Sequence, residues 1–196
     1  MENNRTEEYT RNSYMKSYME NREKEIEDVF EKFISTCMLL TNKLENQVMT
    51  TADLKDKRDK IQTLWNDSLG LIVHSSKDKI GEATKMYDET IKTINDTMDI
   101  LLLTSMLYKI KNMEHKTITQ EEMESFNRGY SEKRVYEQEL EKGTDVHALE
   151  GYNHKKFEVL SKIQSKIVFD KNGPRFMNAE EMKNMEYHGP FSTRKW

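Results

Sequence analysis

The first 173 residues contain no proline, because both prolines of this 196-residue chain, Pro174 and Pro190, lie near its C-terminus. Proline inside a helix removes an amide donor and clashes with the preceding turn, at a cost of about 3 kcal/mol. A proline-free stretch of this length with few glycines allows long helices along almost the whole chain. The sequence therefore predicts an all-α fold, an elongated helical bundle of coiled-coil-like long helices with extended N- and C-terminal arms.

The composition limits how large a core these helices can build. Charged residues make up 34% of the chain and hydrophobic residues 35%, whereas ordinary soluble domains have about 25% charged and roughly 45–50% apolar residues with glycine counted. Such a chain supplies a narrow apolar stripe on each helix, which is typical of bundles, coiled coils and subunits that complete their burial against a partner. The formal net charge of −4 comes from mixed signs and indicates no strongly basic face overall.

Cysteine content and hydropathy bear on the cellular setting. Cys37 is the only cysteine, so no intrachain disulfide is possible, and its apolar neighbours indicate packing rather than reactivity. The N-terminus has no apolar core of a signal peptide. The most apolar stretch, 98–110, is interrupted by Asp99 and Lys109 and falls short of the roughly 20 residues that span a bilayer. We expect a soluble chain, cytoplasmic or within a virion, neither secreted nor transmembrane.

Apolar spacing divides the chain into five segments. They are a flexible N-terminal arm (1–13), a long-helix bundle core (14–116), a polar charged helix (117–143), a linker with a short basic amphipathic helix (144–173) and an extended C-terminal tail (174–196). Within the core, Thr50 to Asp53 resembles a helix start, which favours a break there over one continuous helix. The next helices are expected over 52–73 and 76–112.

The strongest packing signal is an apolar alternation typical of a heptad, which packs knobs into holes against another helix. Met15 and Met19 continue the same phase towards the N-terminus. A second apolar face broadens near the end of the predicted 76–112 helix. Together these faces are expected to form the helix-packing or oligomer seam, and its residues are Ile26, Phe30, Phe33, Cys37, Leu40, Leu44, Leu101, Leu102, Met106 and Ile110.

The C-terminal half carries clear helix boundaries. Thr119 and Glu122 form a predicted capping box that opens a helix over 120–142, and Gly143 is a natural stop. A basic amphipathic helix is expected over 153–168, ended by Asn172 to Pro174. The alternative is a β-hairpin over 166–177. A short last helix follows Asn178.

Sequence patterns for known chemistry are weak. The seven glycines are isolated, so no phosphate-binding loop is indicated, and no Gly-x-Ser-x-Gly motif of a serine hydrolase occurs. His147, Glu150 and His154 lie close in sequence, but their spacing does not match a helical metal site. We therefore predict no catalytic residue, no cofactor, no metal and no small-molecule substrate. A small metal- or acid-dependent enzyme is the second alternative function.

The first alternative function is nucleic-acid association. Basic residues with interleaved aromatic side chains can neutralise phosphates and stack on bases. Such a segment spans 155–175, although its lysines also fit the solvated side of an amphipathic helix. The residues for possible nucleic-acid contact are Lys155, Lys156, Lys162, Lys166, Lys171 and Arg175.

Both ends of the chain carry aromatic side chains that a lone monomer could scarcely bury. Aromatic residues are enriched where proteins meet, so these positions are predicted to be partner-docking arms: Tyr9, Tyr14, Tyr18, Phe191 and Trp196. The favoured function is a non-enzymatic structural or scaffold subunit that self-associates or inserts into a large assembly of protein subunits. Heavy use of Lys, Asn, Ile and Met suggests an AT-rich genome, such as that of a phage, a virus or a low-GC microbe. On that basis a viral or phage particle component is the favoured assembly.

Overall fold

A computed structural model describes the backbone of residues 2–188 and the side chains of residues 11–145 and 147–185. The all-α prediction is confirmed. The α-helices and β-strands are α1 (Glu2–Asn46), α2 (Thr51–Ile72), α3 (Lys77–Lys111), α4 (Gln120–Glu141), α5 (His154–Gln164), β1 (Ile167–Asp170), β2 (Gly173–Phe176) and α6 (Ala179–His188). The chain divides into two compact units, Met1–Asn95 and Asp96–Trp196, and α3 contributes residues to both.

Two predicted helix starts form as expected. The Thr50 side chain accepts a hydrogen bond from the Asp53 amide, and the Asp53 carboxylate accepts one from the Thr50 amide. This pair caps the start of α2, so the chain breaks between α1 and α2 as predicted. Thr119 and Glu122 form the same reciprocal pair at the start of α4. Gly143 follows α4 with φ +74°, the left-handed conformation that glycine adopts without strain.

Two boundaries differ from expectation. α1 begins at Glu2 rather than near residue 14, because residues 2–13 contain neither proline nor glycine to stop the helix. The expected helix over 153–168 ends at Gln164, and the alternative hairpin forms instead. Antiparallel β1 and β2 pair Ile167 with Phe176 and Asp170 with Gly173. Gly173 has φ +106°, which a side chain would strain.

The first unit is an antiparallel three-helix packing of α1, α2 and the start of α3. Phe33 of α1 contacts Trp65 of α2 at 5.2 Å between ring centroids, and Trp65 stacks on Tyr87 of α3 at 5.0 Å. Lys79 of α3 forms an ion pair with Glu27 of α1. These contacts bury the middle of α1 against both neighbours.

This packing covers only part of α1. Since Phe33 is level with Trp65, Ile72 at the end of α2 is level with about residue 26 of α1 in an antiparallel pair. Both Ile26 and Ile72 are buried. Residues 2–25 therefore continue about 36 Å beyond the end of α2 at 1.5 Å per residue.

The second unit packs the end of α3 against α4, α5, the hairpin and α6. Its core is a cluster of apolar side chains: Leu103, Met106, Leu107, Ile110, Phe157, Leu160, Ile163 and Met182. α4 and α5 approach closely at Gly129, where an added Cβ would lie 2.8 Å from Leu160 Cδ1. No described helix is long and apolar enough to cross a membrane.

Candidate interaction surface

Most of the predicted seam lies in the cores of the two units. In α1, Ile26, Phe30, Phe33, Cys37 and Leu40 are buried, with Phe33 and Cys37 fully so. Leu44 is half-buried near the end of the helix. Burial raises the pKa of the Cys37 thiol, in spite of the Thr90 hydroxyl on α3, so the thiol stays protonated and behaves as a packing group.

The second part of the predicted seam, in α3, is also buried or half-buried within the chain. Met106 and Ile110 are fully buried in the core of the second unit, whereas Leu101 and Leu102 are half-buried. All ten predicted seam positions are thus at least half-buried within a single chain. Whether any of them also meets a second copy stays a prediction.

The segment of α1 that continues beyond α2 has a different character. Every side chain from residue 11 to 25 is exposed. The large apolar or aromatic ones are Tyr14 (72% exposed), Met15 (52%), Tyr18 (49%) and Met19 (54%). Met19 lies seven residues before Ile26 and Met15 one turn before Met19, so both lie on the helix face that is buried further along. We call Tyr14, Met15, Tyr18 and Met19 the α1 stripe.

The other predicted docking residues, Tyr9, Phe191 and Trp196, lie outside the described side chains. The side chain of Tyr9 and the residues Phe191 and Trp196 are not among those the structure describes. Within the described part, Tyr14 and Tyr18 belong to the α1 stripe, and the Tyr18 hydroxyl accepts a hydrogen bond from Arg22 at 3.4 Å.

The basic segment is less available to phosphates than its sequence indicates. Lys155 and Lys171 are exposed, Lys166 is half-buried, and Lys162 pairs with Glu158 at 2.6 Å. Arg175 binds Glu181 at 2.7 Å and Asp170 at 2.9 Å across the hairpin. These carboxylates already satisfy the Arg175 guanidinium, and they raise its pKa further.

Lys156 is predicted to be exposed, either for nucleic-acid contact or on the solvated side of an amphipathic helix, but in the structure it is buried. Only 1% of it is exposed, and its ammonium lies 2.7 Å from Asp96 and 3.6 Å from Asp99 of α3 and pairs with Glu132 of α4. A phosphate would have to displace these carboxylates, so Lys156 does not fit the predicted nucleic-acid contact. Burial opposes its charge, but Asp96 and Glu132 outweigh that effect and raise the pKa of Lys156.

Lys156 is the centre of a buried charge cluster that joins three helices. Arg128 of α4 pairs with Asp99, and the Ser125 hydroxyl donates to Asp99 at 2.9 Å. We call Asp96, Asp99, Ser125, Arg128, Glu132 and Lys156 the buried charge cluster after its four buried members, Asp96, Asp99, Ser125 and Lys156; at its edge, Arg128 is exposed and Glu132 is half-buried. Sequence reasoning missed it, although Lys156 precedes Leu160 by one turn and Ile163 by two on the apolar face of α5.

The histidines considered for metal binding are used otherwise. His147 Nδ1 contacts Glu150 at 2.8 Å, and the His154 ring packs edge-on against Tyr136 and Phe157. Among the described residues, no group of three or more acidic, histidine or cysteine side chains is placed to hold a metal ion.

Comparisons with other proteins identify no relative. The chain matches no known family model, no curated protein and no solved structure.

Proposed function

We propose that the chain is a non-enzymatic structural subunit that works by helix-mediated self-association, with the α1 stripe as the contact. The observation that carries this proposal is the continuity of one helix face. From Ile26 to Leu40 this face is buried by the chain's own helices, and from Met15 to Met19 the same face is exposed. A second copy offers an identical stripe, so a single two-fold contact covers both.

Helix energetics support the proposal. A helical segment of this length without tertiary contacts is marginal in water unless its sequence is rich in strong helix formers. Residues 11–25 contain nine good helix formers (Arg, Met, Lys and Glu) but also two asparagines, two serines and two tyrosines and no alanine, so intrinsic preference alone leaves the segment marginal. Pairing with another helix supplies the apolar contacts that would hold this segment in its helical form.

The stripe is small, which sets the expected strength of association. Four side chains, each about half exposed or more, contribute about 3–5 kcal/mol per copy when covered, hence about 6–10 kcal/mol per pair. Association itself costs about 4–15 kcal/mol in lost freedom. At the favourable ends of both ranges about 6 kcal/mol remains, so we expect a dissociation constant of tens of micromolar at the tightest, which suits a subunit concentrated in an assembly. The AT-rich residue usage extends the proposal to a viral or phage particle.

Sedimentation velocity across a concentration series, with matched charge insertions, tests the proposal. Met15→Glu with Met19→Glu places two carboxylates in the stripe. Ser13→Glu with Ser17→Glu places two at the same spacing on the face opposite Met15 and Met19, because Ser17 is about 180° around the helix from Ile26. We expect the wild type and the serine variant to associate with rising concentration and the methionine variant to stay monomeric. A wild type that remains monomeric at millimolar concentration, or equal behaviour of both variants, contradicts the proposal.

A further inference from the structure

A cavity of about 270 Å³ opens in the second unit, where α3 ends and α6 begins. None of its lining residues belongs to α1. It is lined by three lysines and three apolar side chains: Lys111, Met113, Lys166, Ala179, Met182 and Lys183. This volume is just below the range of about 300–1,000 Å³ for small-molecule sites, so only a small ligand fits. Three ammonium groups beside three apolar side chains offer contacts to both the charged and the apolar part of an anionic organic molecule.

The three lysines of this cavity have no carboxylate partner among the described residues, unlike Lys109, Lys156 and Lys162 nearby. Two acidic residues of α6, Glu180 and Glu181, adjoin the lining in sequence: Glu181 is already held by Arg175 through two hydrogen bonds of 2.8 Å and 2.7 Å, and the described ion pairs do not join Glu180 to any of the three lysines. Three uncompensated ammonium groups around one cavity produce a positive potential that favours a multiply charged anion.

The backbone at Met113 points to the same cavity. Met113 has φ 62°, and it is the only non-glycine residue in the described part of the chain with positive φ. The Glu114 amide donates to Lys109 O and the Met113 amide to Ile110 O, a Schellman motif whose left-handed position is usually glycine. A side chain there costs about 1–2 kcal/mol. Retaining methionine against that cost is consistent with a role for its side chain in the cavity wall.

We infer that this cavity binds a small phosphorylated organic molecule, with Lys111, Lys166 and Lys183 facing the phosphate and Met113 and Met182 contacting the organic part. A phosphoryl group supplies two charges and three acceptor oxygens, which suits three lysines better than a single carboxylate does. The methionine side chains are flexible and polarizable, and they adapt to an apolar or aromatic body.

The experiment uses the full chain with ¹³C-labelled methionine methyl groups, titrated with adenosine monophosphate and with inorganic pyrophosphate. We expect the Met113 and Met182 signals to shift and saturate with adenosine monophosphate, while those of Met15, Met19 and Met38 stay unchanged. Each single change of Lys111, Lys166 or Lys183 to Gln should weaken binding roughly twofold to fivefold, because exposed ion pairs are individually weak. Lys171→Gln, an exposed lysine outside the cavity, is the matched control.

Met113→Gly separates binding from stability. It relieves the strained backbone, so we expect equal or higher thermal stability together with weaker binding. The inference is overturned if the two methyl signals do not saturate, or if Lys171→Gln weakens binding as much as the cavity variants. It is also overturned if only single-stranded DNA or anionic lipid vesicles, added as separate titrants, shift these signals, because the ligand is then a polymer or a surface.

Discussion

Replacing Lys156 with methionine tests how the buried charge cluster holds the second unit together. Methionine is about as long as the lysine stem, so packing changes little while the ammonium is lost. Asp96 and Asp99 are 7% and 3% exposed and would remain as buried carboxylates, with Arg128 still paired to Asp99. Removing one member of a buried ion pair costs about 3–5 kcal/mol, a large part of the roughly 5–15 kcal/mol that stabilises a domain.

Two further variants show whether the stability lost in Lys156→Met comes from the buried charge. Lys155→Met changes an exposed neighbour on the same helix and should alter the free energy of unfolding by less than about 0.5 kcal/mol. Adding Asp96→Asn to Lys156→Met removes the negative charge that the Lys156 ammonium had compensated, so we expect this double variant to recover about 1–3 kcal/mol. Asparagine keeps the shape of the side chain, and a recovery therefore reports charge rather than packing.

Urea unfolding followed by circular dichroism gives the free energies, and hydrogen exchange of the α5 amides assigns the loss to the second unit. The pKa of Lys156 is raised in the folded state, so its stabilisation is complete below the ordinary lysine pKa of about 10.4 and declines as pH rises through the folded value. The difference between wild type and Lys156→Met should accordingly narrow above that pH. A Lys156→Met variant as stable as Lys155→Met at neutral pH refutes this reasoning.

Three smaller perturbations test local features. Thr119→Ala removes the first half of the α4 capping box and should lower the free energy of unfolding by about 1 kcal/mol in thermal denaturation. The new methyl group of Gly81→Ala meets nothing within 4 Å, so this variant should raise the free energy of unfolding by about 0.5–1 kcal/mol. Gly129→Ala instead places its methyl group against buried Leu160 and should lower the free energy of unfolding. If both variants change stability in the same direction, this explanation is contradicted. Arg175 lowers the pKa of Glu181 to about 2. Carboxyl NMR should therefore show Glu181 titrating near that pH, and the ion pair with Arg175 should break as pH falls towards it. Arg175→Gln should move the pKa of Glu181 back towards 4.5.

Local signals were enough to predict most of the helical framework. Reciprocal caps at Thr50 and Thr119 depend only on residues three apart, and the starts of α2 and α4 are where these pairs predicted them. The buried face from Ile26 to Leu40 was equally readable, because apolar spacing is a property of one helix. These features need no knowledge of what packs against them.

Features that depend on distant residues were less predictable. Lys156 resembled a solvated lysine, because its partners Asp96 and Glu132 are 60 and 24 residues away in the sequence. The hairpin competed with continued helix over the same residues, and the left-handed turn at Gly173 favours the reversal. The cavity between Lys111 and Lys183 likewise forms only when the ends of α3 and α6 meet.

A distance measurement between copies tests the central claim that the α1 stripe pairs with itself. A spin label at Ser17→Cys, in a Cys37→Ala background, lies on the helix face opposite Met15 and Met19. Paired helices are roughly 8–10 Å apart, and with the labels on the outer faces we expect a defined distance of about 20–40 Å between copies. This signal should disappear when Met15→Glu and Met19→Glu are added. Absence of a defined distance at concentrations where the chain associates, or its persistence in the glutamate variant, would contradict the account.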